Sequence, residues 1–325
     1  MQITRRRFLG QAVVSGAVAA AGCVTLPASR GPLIIDTHQH LWDLKQQKLP
    51  WLATAPEVLR KNYRTEEYLA ATAGLNLRSI YMEVDVATEE LGNEATLILG
   101  IASGGKTPML AAVIGGRPDA TDFEAYLRRF SVSPHLKGVR RVLHSDATPA
   151  GYCLKPEFVR GVKLLGAAGK SFDLCMRATD LMDGVSLAKQ CPQTRFVLDH
   201  CGNPDLKCFR AARTGEAKPT HTADAWKSSI DAFAKLPNVI GKISGIAASL
   251  PKGGGTGDLA PAVNHCLDAF GPDRVVFGGD WPVCLLGATY KHWVEMLSEI
   301  ISSRPAEQQR KLWATNALRH YSLTV

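Results

Sequence analysis

From Leu33 onward, short and nearly continuous apolar runs alternate with longer stretches whose apolar residues recur every three or four positions. The short runs are Leu33–Asp36, Ser79–Val84, Met109–Val113, Gly138–Leu143, Ser171–Met176, Arg195–Leu198, Val239–Ser244 and Arg274–Phe277. Apolar side chains on consecutive positions are the pattern of strands buried on both faces. The longer stretches carry helical spacing and polar start signals. Thr65-Glu66-Glu67 opens one, with Leu69 and Leu75 on its apolar side. Others cover Thr88–Gly100, Asp122–Phe130, Lys155–Ala168, Asp180–Gln190, Thr222–Leu236, Gly257–Phe270 and Ala288–Ser302, and Pro305–Tyr321 closes the chain. Eight strands alternating with helices predict an α/β fold, a single-domain (β/α)8 TIM barrel over residues 33–325. The competing doubly wound sheet would place a glycine-rich phosphate turn after the first strand. Two histidines stand there instead.

Two connections are long. Gly202–His221 follows the sixth strand, and Ala247–Gly257, with Lys252-Gly253-Gly254-Gly255, follows the seventh. Both leave the C-terminal ends of strands, the face on which barrels build sites, so each reads as a lid or as a plain surface linker.

The segment before Leu33 has a different character. Thr4-Arg5-Arg6-Arg7-Phe8-Leu9-Gly10 resembles a twin-arginine export signal. The weakly apolar stretch Gln11–Ala21 that follows is far short of the ~20 residues a spanning helix needs. Residues 1–23 therefore read as a signal peptide. Ala20-Ala21-Gly22-Cys23 resembles a lipobox, although Ala20 stands where Leu is usual. Cys23 would then be lipidated; cleavage without lipid is the alternative. Residues 24–32 read as a tether. The expectation is a protein exported by the twin-arginine machinery, either periplasmic or a membrane-anchored lipoprotein, touching the membrane only through a lipid on Cys23.

Composition narrows the class. Hydrophobic residues are 46% and charged residues 21%, which excludes a disordered chain, a fibre and a polytopic membrane protein. The net charge is +8. Arg5, Arg6 and Arg7 contribute three of those charges, leaving +5 on the rest. No Lys/Arg run interleaved with aromatics follows, so nucleic acid is not the expected partner. An acidic small molecule is compatible. Of eight cysteines, those beyond Cys23 are scattered and form no CxxC pair, which argues against a disulfide framework or a structural zinc site.

Candidate chemistry sits at strand ends. In Ile34-Ile35-Asp36-Thr37-His38-Gln39-His40-Leu41-Trp42-Asp43, His38 and His40 project to the same side and can share a divalent ion at a barrel mouth. Phe196-Val197-Leu198-Asp199-His200 puts His200 just past the sixth strand. Val276-Phe277-Gly278-Gly279-Asp280-Trp281-Pro282 puts Asp280 just past the eighth, where a carboxylate can bind metal or take a proton from water. Trp281 offers a flat wall for a ring-shaped substrate or simple core packing, and Trp42 is a further substrate-contact candidate. Arg140 and His144 share parity on the fourth strand, and Arg140 can hold a carboxylate or a lactone oxygen, or serve in a structural ion pair. Asp173 points inward and is a candidate contact for substrate hydroxyls. Glu83 and Lys242 are expected to form a buried ion pair, with Glu83 as an extra metal ligand in the alternative. No Lys occupies the fifth strand or the middle of the fourth, so a carboxylated lysine bridging two metals is not expected.

Taken in order, "DTHQHLWD", "KGVRRVL", "FVLDHCGNP", "KISG", "VVFGGDWPV" and "NALRHYSL" resemble amidohydrolase family 2 over nearly all of Leu33–Leu323. The resemblance runs to its lactonase branch, which includes sugar-lactone hydrolases and pyrone-dicarboxylate lactonase. It implies a (β/α)8 barrel with hydrolysis at its C-terminal face. It also implies His38 and His40 as metal ligands or carbonyl polarisers, and carries over His200 and Asp280, further metal-ligand candidates, and Arg140 on the fourth strand. Two positions depart from the family: Gly279 where Ser is frequent, and His144 where lactonases often carry Gln. Some lactonases of this branch work without metal.

The expected protein is an exported hydrolase with one divalent ion, zinc by choice, opening a sugar lactone or related cyclic ester. Asp280 would accept the proton of the attacking water, while Arg140 and His144 orient substrate and stabilise charge. The alternatives are a metal-dependent decarboxylase of the same family and an inactive envelope protein binding a sugar acid.

Overall fold

The computed structural model describes residues 31–212 and 215–325. Residues 1–23 with Cys23, and the tether up to Arg30, lie outside the described residues. The strands are β1 (Ile34–Gln39), β2 (Leu77–Met82), β3 (Met109–Gly115), β4 (Leu136–Leu143), β5 (Ser171–Met176), β6 (Arg195–Leu198), β7 (Val239–Ile243) and β8 (Val275–Phe277). Each pairs in parallel with the next, giving one eight-stranded sheet in chain order. The ends meet at the mouth. Gln39 bridges Trp281 in parallel, the Asp280 N–H donates to the His38 carbonyl at 2.8 Å, and the His40 N–H donates to the Trp281 carbonyl at 2.8 Å. The structure is the predicted (β/α)8 barrel.

The helices of the outer ring are α1 (Thr65–Ala71), α2 (Leu91–Ser103), α3 (Phe123–Ser131), α4 (Pro156–Ala167), α5 (Leu181–Gln190), α6 (Ala223–Ala234), α7 (Thr256–Phe270) and α8 (Tyr290–Ile300). Local chemistry starts several of them. Pro156 opens α4, where a missing N–H costs nothing. The Thr222 and Thr289 hydroxyls accept from the backbone N–H groups of Ala225 and His292, capping α6 and α8. Among the described residues, no helix is long and apolar enough to cross a membrane.

Strand parity divides the core in two. Outward side chains such as Ile34, Tyr81, Phe172, Phe196 and Phe277 pack under the helices. Inward ones at the lower level, including Ile35, Ile80, Val113, Val197, Ile240 and Val276, fill the barrel centre. Ala317 and Tyr321 from the C-terminal segment join that inner cluster. Cys153, Cys175, Cys191, Cys201, Cys208, Cys266 and Cys284 are all free thiols.

Candidate active site

One layer above the apolar centre, the same inward parity delivers charge. Arg140 on β4, Asp173 on β5, Asp199 just past β6 and Lys242 on β7 are all buried. The Lys242 Nζ lies 2.7 Å from Asp173 Oδ2 and 2.8 Å from Asp199 Oδ1. Arg140 Nε donates to Glu83 Oε1 at 2.6 Å, and its Nη2 donates to the Glu83 carbonyl at 2.7 Å. The expected Glu83–Lys242 pair is therefore corrected: Glu83 holds Arg140, and Lys242 holds two aspartates. Around the barrel, Glu83 at the end of β2 faces β4, whereas β7 faces β5 and β6.

These pairings set protonation states. Burial works against charge on Lys242, but the Asp173 and Asp199 carboxylates outweigh it and raise its pKa. Burial also opposes an ionised Asp199, yet Lys242 and His38 hold its carboxyl well below the usual range. Asp173 is pushed up to about 6 by burial, against the pull of Lys242. Burial would strip the Arg140 proton, and Glu83 more than restores it.

The three histidines converge on Asp280. His40 Nε2 is 3.3 Å and His38 Nε2 3.5 Å from Asp280 Oδ1. The His38 ring centroid lies 4.9 Å from that of His40 and 4.4 Å from that of His200. Neighbours fix the ring orientations. His40 Nδ1 donates to the Met82 carbonyl at 2.9 Å, which fixes the ring with Nε2 turned towards Asp280. His200 Nδ1 bonds Ser244 Oγ at 2.9 Å. His38 Nδ1 faces Asp199 Oδ1 at 3.6 Å and Lys242 Nζ at 3.4 Å. Burial drives the pKa of His38 well down, and that of His200 down, so both rings are neutral near pH 7.

Backbone strain accompanies this geometry. His200 has φ 57° and Asp280 φ 52°, both left-handed. Such conformations cost of order 1–3 kcal/mol each and persist where packing over-determines them. At Gly245, φ 71°, an added Cβ would lie 2.2 Å from His200 Nδ1, so only glycine lets the ring sit there. Gly279 has a packing cause too. A Cβ there would meet Tyr290 Cε2 at 2.2 Å and Asp36 Oδ2 at 2.7 Å. Tyr290 fills the space that any side chain at 279 would need.

Asp36, which sequence reasoning passed over, ties β1 to β8. Its carboxylate accepts from the Gly279 N–H at 2.7 Å, Tyr68 Oη at 2.8 Å and Tyr290 Oη at 3.1 Å. Asp199 was also passed over as an active group, although it stands beside His200 in the sequence. Its signal was inward parity with Val197, one layer below.

Above the floor opens a cavity of about 520 Å3. His40, Arg140, His144, His200, Asp280 and Trp42 line it. Although the His144 side chain reaches cavity solvent, partial loss of water and then the charge of Arg140 lower its pKa to about 4. It is neutral near pH 7 and offers a hydrogen bond rather than a positive charge. Two expected substrate contacts sit elsewhere. Trp281 is buried, with its ring edge-on to Tyr63 and Tyr68, so it packs the core and forms no wall of the cavity. Asp173 is sealed beneath the floor by Lys242. Trp51, unassigned in the sequence, lines the cavity beside Trp42.

The residues present fit a divalent ion. Donor atoms of His38, His200 and Asp280 all lie within 4.8 Å of one another. The 3.3 and 3.5 Å separations from Asp280 to His40 and His38 match the edge, roughly 3.4 Å, of a tetrahedron with ligand distances of about 2.1 Å. Neutral imidazoles plus one carboxylate are the donor set that zinc favours.

The class follows from fold and site together: a (β/α)8 hydrolase with a His/Asp centre at its C-terminal face. Residues 35–323 match the amidohydrolase family model, and the chain belongs to that family. It is 29% identical to an L-fucono-1,5-lactonase of Burkholderia multivorans over 303 residues, covering 90% of this chain and 97% of that protein. A solved amidohydrolase structure from Burkholderia multivorans with bound zinc superposes with a TM-score of 0.78 at 26% identity, covering 90% of this chain and 100% of that one. A manganese-bound 5-carboxyvanillate decarboxylase of Novosphingobium aromaticivorans, at 15% identity and a TM-score of 0.62 over 90% of this chain and 97% of that one, shares the fold. The likeness thus runs to the lactonase branch that the motifs indicated.

Proposed function

We propose that this protein hydrolyses a lactone, opening the cyclic ester by attack of water at the cavity floor. The observation that carries this reading is the Asp280 carboxylate facing His38 and His40 beside the Arg140 guanidinium. A divalent ion on His38, His40, His200 and Asp280 would supply Lewis-acid polarisation of the lactone carbonyl.

The chain's own groups do the rest. Arg140, anchored twice on Glu83, points Nη1 at the floor, 3.3 Å from His38 Nε2 and 3.6 Å from Asp199 Oδ2. There it donates to the carbonyl oxygen as negative charge develops. Asp280 accepts the proton of the attacking water, a new C–O bond forms, the ring C–O bond breaks, and Asp280 returns the proton to the leaving oxygen. Asp199 holds the His38 ring in place from below.

The test is proton release over a panel of five- and six-membered lactones, before and after chelator treatment. Turnover abolished by chelation and restored by zinc is the expected result. Turnover that survives chelation recasts His38 and His40 as direct carbonyl polarisers. Carbon dioxide release from aromatic acids, with no lactone opened, would overturn the reading. The reading also includes export, motivated by the Arg5-Arg6-Arg7 segment; recovery of the full chain only from the cytoplasmic fraction would contradict it.

A further inference from the structure

The cavity is not uniformly lined; its chemistry divides across the barrel. One side is built from the segment after β1, the end of β2 and the turn after β8, which are neighbours around the barrel. Here Trp42, Trp51, Pro56, Leu59, Val283 and Leu286 face the space. Val84 and Ala55 continue the same surface. The turn at Glu57–Leu59 lies against the turn at Val283–Leu286, which joins the two apolar segments into one wall. Both tryptophan N–H groups are spent on backbone carbonyls: Trp42 Nε1 donates to Lys61 at 2.7 Å and Trp51 Nε1 to Val84 at 2.8 Å. Trp51 and Val283 are half-buried and Pro56 and Leu286 exposed, so the wall presents aromatic and aliphatic carbon, with Trp42 and Leu59 buried behind it. Its one charged member, Asp85, is engaged by Arg117 at 3.3 Å.

The opposite side comes from β4 to β7. His144, Ser145, Asn203 and Ser249 line it, with Cys175 between them. Val142 and Ala248 are its small apolar interruptions. The catalytic floor lies between the two sides. A cavity of about 520 Å3 is within the range that encloses a drug-sized ligand, and a single polyhydroxylated sugar ring would leave much of it empty. Hydroxyls turned towards the apolar wall would lose water and find no partner there, which is costly.

We infer that the substrate is a lactone whose ring carries an apolar substituent of aryl or branched-alkyl size. The ester ring sits over Asp280 and Arg140, its polar edge turned to the β4–β7 side and its substituent laid on the Trp51–Val283–Leu286 wall. This inference rests on the lactonase reading for its reactive group and on the wall for its substituent. Aromatic and aliphatic carbons are the complement of such a wall because they gain from leaving water and ask for no hydrogen bond.

The test compares three six-membered lactones: the unsubstituted ring, the same ring bearing phenyl next to the ring oxygen, and a polyhydroxylated sugar lactone. Each rate is corrected for uncatalysed opening. The expected result is kcat/KM at least about tenfold higher for the phenyl lactone than for either of the others, since one or two well-buried apolar groups discriminate by about that much. Leu286→Asp, at the cavity rim, is expected to cut that ratio by at least about fivefold. Tryptophan fluorescence titration with the ring-opened acids reads binding separately from turnover. Tighter binding of the phenyl acid with no lactone opened would keep the wall assignment and sink the lactonase reading. Equal or better use of the sugar lactone, with no tighter binding of the phenyl acid, would overturn the inference and leave the lactonase reading standing.

Discussion

Two layers inside this barrel stand one pleat apart and have opposite chemistry. On β6, Val197 packs in the apolar centre, and Asp199, two residues on, lies among Lys242, His38 and Arg140. On β7, Ile240 belongs to the lower layer and Lys242 to the upper. Strand geometry treats both layers alike: each side chain points inward and is buried. What differs is the partner each requires. An apolar side chain is satisfied by any close-packed neighbour, whereas a buried charge needs a particular counter-charge in a particular place. The lower layer holds the barrel together. The upper layer spends stability to fix His38, Arg140 and Asp280 in orientation.

Two truncations should separate the layers. Lys242→Ala leaves Asp173 and Asp199 buried without their ammonium, a change expected to cost about 3–5 kcal/mol. It should also lower turnover per folded molecule, because Asp199 no longer holds His38 in register. Ile80→Ala opens a void in the lower layer, expected to cost about 2–5 kcal/mol while leaving kcat of the folded fraction unchanged. Chemical denaturation read alongside kcat on the folded fraction checks both. Matching activity losses in the two variants would erase the distinction between the layers.

A smaller effect lies just outside the barrel wall. Glu94 on α2 is buried and accepts from Tyr81 Oη and from the Val84 N–H, each at 2.9 Å. Burial, and then the charge of Glu83, push its pKa from 4.5 to about 8. The folded protein keeps this proton while the unfolded chain releases it near pH 4.5, so the contribution is fully present below that pH and is lost as pH rises towards 8. Glu94→Gln imitates the protonated form. It should match wild type at pH 4.5 and exceed it by more than about 1 kcal/mol at pH 7.5. Unfolding curves at the two pH values decide it, and a difference that does not change with pH would refute the assignment.

The lower layer was legible in the sequence, and the upper layer only in part. All eight strands announce themselves because burial on both faces gives short, nearly continuous apolar runs; β5 and β6 match the sequence pattern end to end. Strand β1 runs on to Gln39, beyond the apolar run ending at Asp36, because the mouth replaces apolar residues with functional ones. His38, His40, Arg140, His200 and Asp280 stand out in the sequence because parity and strand ends point to the mouth, and the structure places them side by side. Pairing was not legible. Glu83 and Lys242 have the right signs and the right parity, but position around the barrel and height along the strands decide who meets whom. Trp281 failed as a wall residue for a related reason: closure of β8 on β1 turns its ring into the core against Tyr63 and Tyr68.

The central claim is that Asp280 moves the proton in opening the ring. It is tested most directly by Asp280→Asn, which keeps the shape of the side chain and removes its basicity. The account predicts that kcat for lactone opening falls by at least about 10³-fold, with an unfolding midpoint close to that of wild type. An Asp280→Asn protein that is folded and opens lactones at the wild-type rate would contradict it.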